Sequence, residues 1–217
     1  MKFENSVVLQ GRIARKVVVG PDTTVIALSV RKPGRRADIP DVYFNYGHCA
    51  AEIADLEKGD FVRITGTYKT RPIVWSRRGG RKESVFYRQT ISGISIERAK
   101  SEEEIAGSVS ENNRIYRNEN KVVLRGRVSS TLSYPDRLSV ALYIEDEKQR
   151  QNRVAFSIFS EKEEQEDAIS FFKHDRPVFV IGEIQTMPAN GKNRKKETII
   201  AKNYYEIKSE ENDYVND

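Results

Sequence analysis

Apolar and polar residues alternate with a period of two along most of this chain, the signature of strands with one buried face. The stretch Leu56–Arg71 shows it most fully. After a Lys58-Gly59 turn signal, Val62, Ile64, Gly66, Tyr68 and Thr70 share one face, and Arg63, Thr65, Thr67, Lys69 and Arg71 share the other. One apolar face and one Thr/Lys/Arg face suit a sheet packed inside and turned toward a polyanion outside. The same period predicts strands over Asn5–Ile13, Thr23–Arg31, Val42–Tyr46 and Ser84–Ile96. In the first of these Val7, Leu9, Gly11 and Ile13 line up, and a glycine inside such a run marks a bulge or sharp coil. Gly20-Pro21-Asp22 reads as a turn, Lys32 to Pro40 as a basic loop, and Cys49–Leu56 as a short helix with Ile53 and Leu56 inward.

The pattern then returns after a polar stretch rich in Ser, Glu and Asn. Asn120–Val128 repeats Asn5–Ile13 nearly position by position, and Ser139–Leu142 repeats Val25–Leu28. Val154-Ala155-Phe156 answers Val42-Tyr43-Phe44, and Val178–Thr186 answers Val62–Thr70. Each copy continues into a basic hairpin, one around Trp75–Lys82 and the other around Met187–Lys196. This organisation predicts a first domain at 1–100, an acidic polar linker at 101–119, a second domain at 120–208 and an acidic tail at 209–217. Three strands, a helix and two strands is the order of the OB fold. The expected architecture is therefore all-β: tandem OB-fold five-stranded Greek-key barrels, with one short helix per domain. In the second copy, Glu161–Asp167 reads as the solvated start of that helix, where acidic residues are favourable.

Charge sharpens this picture. Residues 1–100 hold 19 basic and 10 acidic residues, a net of +9, and residues 120–208 hold 16 and 13, a net of +3. The linker holds 2 and 5 and the tail 0 and 4. A basic first half beside an acidic linker and tail points to a polyanionic partner. Cys49 is the only cysteine, which excludes an internal disulfide and a cysteine-based zinc site. No signal peptide or membrane-spanning run is read, so a cytoplasmic, membrane-free protein is expected. His48 and His174 are isolated, and no Ser/His/Asp spacing, phosphate-cradling loop or metal pattern is present. No enzyme, cofactor or metal is expected.

Residues 5–98 resemble the DNA-binding domain of bacterial-type single-stranded-DNA-binding (SSB) proteins. The resemblance is carried by Asn5-x-Val-x-Leu-x-Gly11, by Tyr46-Gly47 before the helix, by Leu56-x-Lys-Gly-x-x-Val-x-Ile-x-Gly66, and by Thr70-Arg71 followed by Trp75. The second copy keeps the opening motif and Gly182 but has His174-Asp175-Arg176-Pro177 in place of the Lys-Gly turn. The resemblance implies a homodimer presenting four barrels. It also implies a C-terminal acidic tip that recruits replication and repair enzymes, although this chain is closed by Asp217 rather than by a hydrophobic residue.

Binding a single strand requires cations along the phosphates and aromatic faces for the bases. In the first copy Arg31, Arg35, Arg36, Lys69, Arg71, Arg77, Arg78, Arg81 and Lys82 supply the charge, with Trp75, Tyr87 and a third-strand tyrosine as stacking faces. The family's aromatic-Gly pair selects Tyr46 on that strand; matching to the second copy turns Val42, Phe44 and Tyr46 inward and Tyr43 outward. Tyr143, Arg153, Phe159, Lys192, Arg194, Lys195 and Lys196 are the candidates in the second copy. Phe179 and Ile181 put apolar groups on the outer face of a strand that is already apolar inside, which suggests an interface with a partner subunit or the other barrel. The first copy, with more charge and the only tryptophan, is expected to be the stronger binder. The expected function is sequence-tolerant single-stranded DNA binding in replication, recombination, repair or DNA transfer. A protein–protein adaptor and a single-stranded RNA binder are the alternatives.

Overall fold

The computed structural model describes residues 2–32, 34–76, 83–99, 118–145, 150–161, 165–188 and 195–207. The first repeat contains β1 (Glu4–Val18), β2 (Thr23–Lys32), β3 (Arg35–Asp38), β4 (Asp41–Asn45), α1 (Ala50–Ala54), β5 (Phe61–Ser76) and β6 (Glu83–Arg98). The second contains β7 (Glu119–Tyr134), β8 (Arg137–Glu145), β9 (Gln151–Phe159), α2 (Gln165–Phe171), β10 (Pro177–Pro188) and β11 (Lys195–Glu206). The Lys32–Pro40 segment, expected as a loop, carries the short strand β3, which pairs Val30 with Asp38 and Lys32 with Arg35.

Alternation builds each core. Val7, Leu9, Ile13, Val62, Ile64 and Tyr68 are buried in the first repeat, and Val122, Leu124, Val128, Val178, Val180 and Ile184 in the second. Around the first core the pairings run β1–β2, β2–β4, β4–β6, β6–β5 and β5–β1, returning to the starting strand. Around the second they run β7–β8, β8–β9, β9–β11, β11–β10 and β10–β7. Ile53 and Leu56 close the first core from α1 and the segment after it. Ala168 and Phe172 do the same for the second, and the Phe172 ring meets Phe156 edge-on at 5.6 Å.

A long first strand can serve both sides of such a ring only if it coils sharply. β1 pairs with β5 through Arg12, then shifts register between Ile13 and Arg15 to pair with β2. Gly11 sits at this crossing, where a Cβ would lie 2.4 Å from the Ser29 carbonyl oxygen. Gly126 occupies the same place in β7, 2.4 Å from the Tyr143 oxygen. Only a residue without a side chain permits that approach.

The two repeats share one sheet. β1 and β7 pair antiparallel with Val7 opposite Val122, Asn5 opposite Leu124 and Leu9 opposite Asn120, a register symmetric about the central valines. Asn5 donates to the Tyr68 carbonyl at 2.8 Å and accepts from the Tyr68 N–H at 2.9 Å. Asn120 does the same with Ile184, at 2.7 and 2.8 Å. Each asparagine thus supplies a backbone-like partner where the neighbouring strand has lost one.

Two further contacts tie the repeats, and they are symmetric counterparts. In one, the Asp38 carboxylate accepts from the Thr186 N–H at 2.8 Å, and Glu197 accepts from the Asp41 N–H at 2.8 Å. In the other, Asn152 accepts from the Thr70 N–H at 2.9 Å, and Gln89 bonds both the N–H and the carbonyl of Ala155. One lock uses carboxylates, the other amides.

The ladders also correct one detail of the repeat. Ile26 lies opposite Val42 while Leu28 lies opposite Ile13; Val140 lies opposite Phe156 while Leu142 lies opposite Val128. Phe156 therefore corresponds to Val42, two residues from the expected match with Phe44. A slip of two leaves every side chain on its own face, so the hydrophobic pattern cannot detect it.

Candidate nucleic-acid interface

The outer face of β5 divides into two zones. Near its start Arg63 is held by Glu119 at 3.4 Å and Glu97 at 3.7 Å, and Thr65 shares a 2.6 Å hydrogen bond with Ser95. These groups serve the protein itself, which corrects the expectation that the whole Thr/Lys/Arg face meets a polyanion. Toward the hairpin Lys69 and Arg71 are exposed.

The register of β4 decides the tyrosines. Val42 and Phe44 are buried, and Tyr43 points outward. Its hydroxyl accepts from Arg88 Nη2 at 3.3 Å. Tyr46 lies just beyond the strand and is 88% exposed, with φ 60°, a left-handed backbone unusual for an aromatic residue. The inward position expected from the second copy is therefore overturned, and both tyrosines face solvent. Strain that holds a bulky ring outward is typical of binding sites. Tyr43, Asn45, Arg71, Pro72, Arg88 and Thr90 line a groove of about 310 Å³. A second groove of about 760 Å³ gathers Tyr46, Lys69, Arg71 and Ile94 and continues to Arg150 of the second repeat.

The remaining candidates scatter. Arg31 is exposed at the end of β2. Arg35 and Arg36 on β3 flank a small cleft against Glu183 and Gln185 of β10. Tyr143 is partly exposed on β8 opposite Arg153. Arg153 is half-buried and donates to Ser130 Oγ at 2.6 Å. Phe159 is partly exposed at the end of β9. Lys196 is exposed on β11. Trp75, Tyr87 and Lys195 have described backbones on β5, β6 and β11, but their side chains fall outside the described residues, as do Arg77, Arg78, Arg81, Lys82, Lys192 and Arg194 entirely. The acidic tail and most of the linker lie outside as well. Phe179 and Ile181 are half-buried on the outer face of β10, with the Phe179 ring 6.5 Å from Tyr205.

Arg88, Ile94 and Arg150 were not singled out from the sequence. For Arg88 a signal existed: it stands on β6 where Lys196 stands on β11, since Tyr68–Ile91 and Ile184–Ile199 are equivalent pairs. Within the core, burial pushes the Tyr68 phenol well above its ordinary value, and the Glu197 carboxylate adds to the shift. Tyr68 is a neutral packing group. Burial also raises the Cys49 thiol, with Glu52 adding to it, which works against a reactive thiolate. Among the described residues no cluster of His, Cys, Asp or Glu could hold a metal ion, and no helix is long and apolar enough to cross a membrane.

Solved structures share this architecture along almost its whole length. A deletion mutant of the single-stranded DNA binding protein from Thermus aquaticus matches with a TM-score of 0.61 at 15% identity, covering 98% of each chain. The wild-type Thermus aquaticus protein matches with a TM-score of 0.59 at 14% identity, covering 96% of this chain and 95% of that one. The chain is a tandem OB fold. No protein-family model matches the sequence, and no curated protein matches it either. In OB terms, β1–β6 form the first unit and β7–β11 the second.

Proposed function

We propose that this chain binds single-stranded DNA without base-sequence preference and without catalysis, the first OB unit carrying the main site. One observation carries the reading: Tyr43, Tyr46, Lys69, Arg71 and Arg88 converge on adjoining grooves at the outer surface of β4–β6. Aromatic faces interleaved with cations suit a strand whose bases are unpaired, because stacking is indifferent to sequence and charge follows the backbone. The full-length likeness in fold to proteins described as single-stranded DNA binding supports it. Roles in replication, recombination, repair or DNA transfer follow from this activity. The half-buried Phe179 and Ile181 support a homodimer with four OB units, because outward apolar groups on β10 gain from being covered.

Titration with oligo-dT is expected to show binding at least tenfold tighter than to duplex of equal length, with log affinity falling against log salt by about 0.7 per neutralised phosphate. Equal or tighter duplex binding would refute the reading, and equal competition by an RNA oligomer would reassign the ligand. Light scattering of the same sample is expected to give twice the 24.9 kDa chain mass; a single-chain mass at micromolar concentration removes the dimer.

A further inference from the structure

Tyr46 stands on a turn that leaves the barrel, and the turn is bent against the preference of its residues. Tyr46 and Cys49 have φ of 60° and 58°, and Gly47 between them has φ 66°. Left-handed backbone suits glycine but strains a residue with a Cβ, so surrounding contacts must fix it. Backbone bonds supply part of the hold. The Gly47 N–H donates to the Asp22 carbonyl at 3.1 Å, and the His48 N–H to that of Asn45 at 3.2 Å. Neither joins the turn to β6, whose Ile94 lines the same groove as Tyr46.

The side chain of His48 does. Ile94 is the extra residue of a β-bulge: Thr65 faces Ser95 and Gly66 faces Gly93, which leaves Ile94 without an opposite residue on β5. His48 Nε2 lies 2.6 Å from the Ile94 carbonyl oxygen. A carbonyl only accepts, so Nε2 carries the proton and donates. The Cys49 thiol, a weak donor, points to the same oxygen at 3.4 Å. Gly93 lets these pieces close up, because a Cβ there would clash with the ring of Phe44, two residues before Tyr46. Bulge, imidazole and turn thus form one assembly, which presents Tyr46 at 88% exposure and Ile94 at 52% along one groove.

The second OB unit has the bulge without the exposed ring. Its extra residue is Lys202, skipped where Ile181 faces Asn203 and Gly182 faces Ala201, and Lys202 pairs with Glu183 at 3.0 Å. Counting on from the match of Val42 with Phe156, the place of Tyr46 is taken by Ser160 and that of Gly47 by Glu161. The bulge therefore serves barrel closure in both units, whereas the imidazole pin accompanies the aromatic turn that the first unit alone carries.

We infer that His48 is a positioning residue for single-strand binding: by donating to the bulge carbonyl of Ile94 it holds Tyr46 where a base can stack, without touching the strand itself. The inference rests on the single-strand reading above and adds the residue that pre-organises its stacking face.

The test titrates oligo-dT of about 30 nucleotides against the full chain and the variants Tyr46→Ala, His48→Leu, His48→Gln and Tyr46→Ala with His48→Leu. Tyr46→Ala is expected to lose about tenfold, as for one stacked base. His48→Leu, which removes the donor at similar bulk, is expected to lose about fivefold, and His48→Gln, whose amide can still donate, less than about twofold. The double variant is expected to bind within about twofold of Tyr46→Ala, because the pin has nothing to hold once the ring is gone. The salt slope should be the same in all of them, since no phosphate contact is removed. His48 is exposed, so its replacement should leave the melting midpoint within about 2 °C. Losses that multiply in the double variant, or a slope that falls with His48→Leu, make His48 a direct contact and overturn the inference. Unchanged binding by His48→Leu, or by Tyr46→Ala, overturns it as well while leaving single-strand binding standing. Failure of the unmodified chain to bind overturns the parent reading and the inference with it.

Discussion

Replacing Gly126 with valine is expected to lower the melting temperature by about 6–12 °C. A Cβ at this position would lie 2.4 Å from the Tyr143 carbonyl oxygen and 2.9 Å from Ile144 Cγ1. The first neighbour is backbone of the paired strand β8 and cannot swing away, so β7 and β8 must separate where the barrel turns its corner. Overpacking of this kind costs about 3 kcal/mol, and at this chain length each kcal/mol moves the midpoint by about 2–4 °C. Gly11→Val faces the Ser29 oxygen at the same distance and is expected to act alike in the first unit. Scanning calorimetry showing an unchanged midpoint for both would mean that the strands do not approach as closely as described.

Neutralising Lys69, Arg71 and Arg88 together, each to glutamine, is expected to weaken binding of a long oligo-dT by about 100-fold at 0.1 M salt. Each released phosphate contact contributes about 0.7 to the salt slope, so the slope should fall by about 2 units. The two measurements constrain each other: a loss of affinity with an unchanged slope would indicate damage to packing rather than lost phosphate contacts. Circular dichroism should be unaltered, since Lys69, Arg71 and Arg88 are exposed. A loss smaller than threefold would place the main phosphate path elsewhere, on the basic hairpins.

What the sequence disclosed was the part governed by the two-residue period. Val7, Leu9 and Ile13, and again Val122, Leu124 and Val128, could be assigned to the inside because alternation has only two faces to choose from. The second unit was legible because it repeats the first. Three things were not. The match of β9 to β4 was off by two residues, an error to which alternation is blind. The pairing of β1 with β7 left no trace in composition, since a strand edge carries the same backbone groups whatever covers it. The part played by His48 was hidden because its partner is the backbone carbonyl of a bulge residue, and a carbonyl is the same whatever side chain stands beside it. Tyr46 was selected through its glycine neighbour, and its left-handed backbone supplied the physical reason only afterwards.

The β1–β7 pairing has a consequence for how this molecule responds to dilution. Each strand covers an edge that would otherwise lie bare from Glu4 to Gln10 or from Glu119 to Arg125, and a bare edge is a template for any other strand it meets. Because both edges belong to one chain, the pairing is intramolecular and its strength owes nothing to protein concentration. Severed at the linker, residues 1–100 would carry an edge that is nearly its own complement, with Val7 able to face Val7. Such a fragment is expected to elute as a pair when concentrated and to dissociate as it is diluted; a monomer at every concentration would show that the edge needs no cover. In the intact chain the β1–β7 pairing is held within one molecule, so dilution does not weaken it.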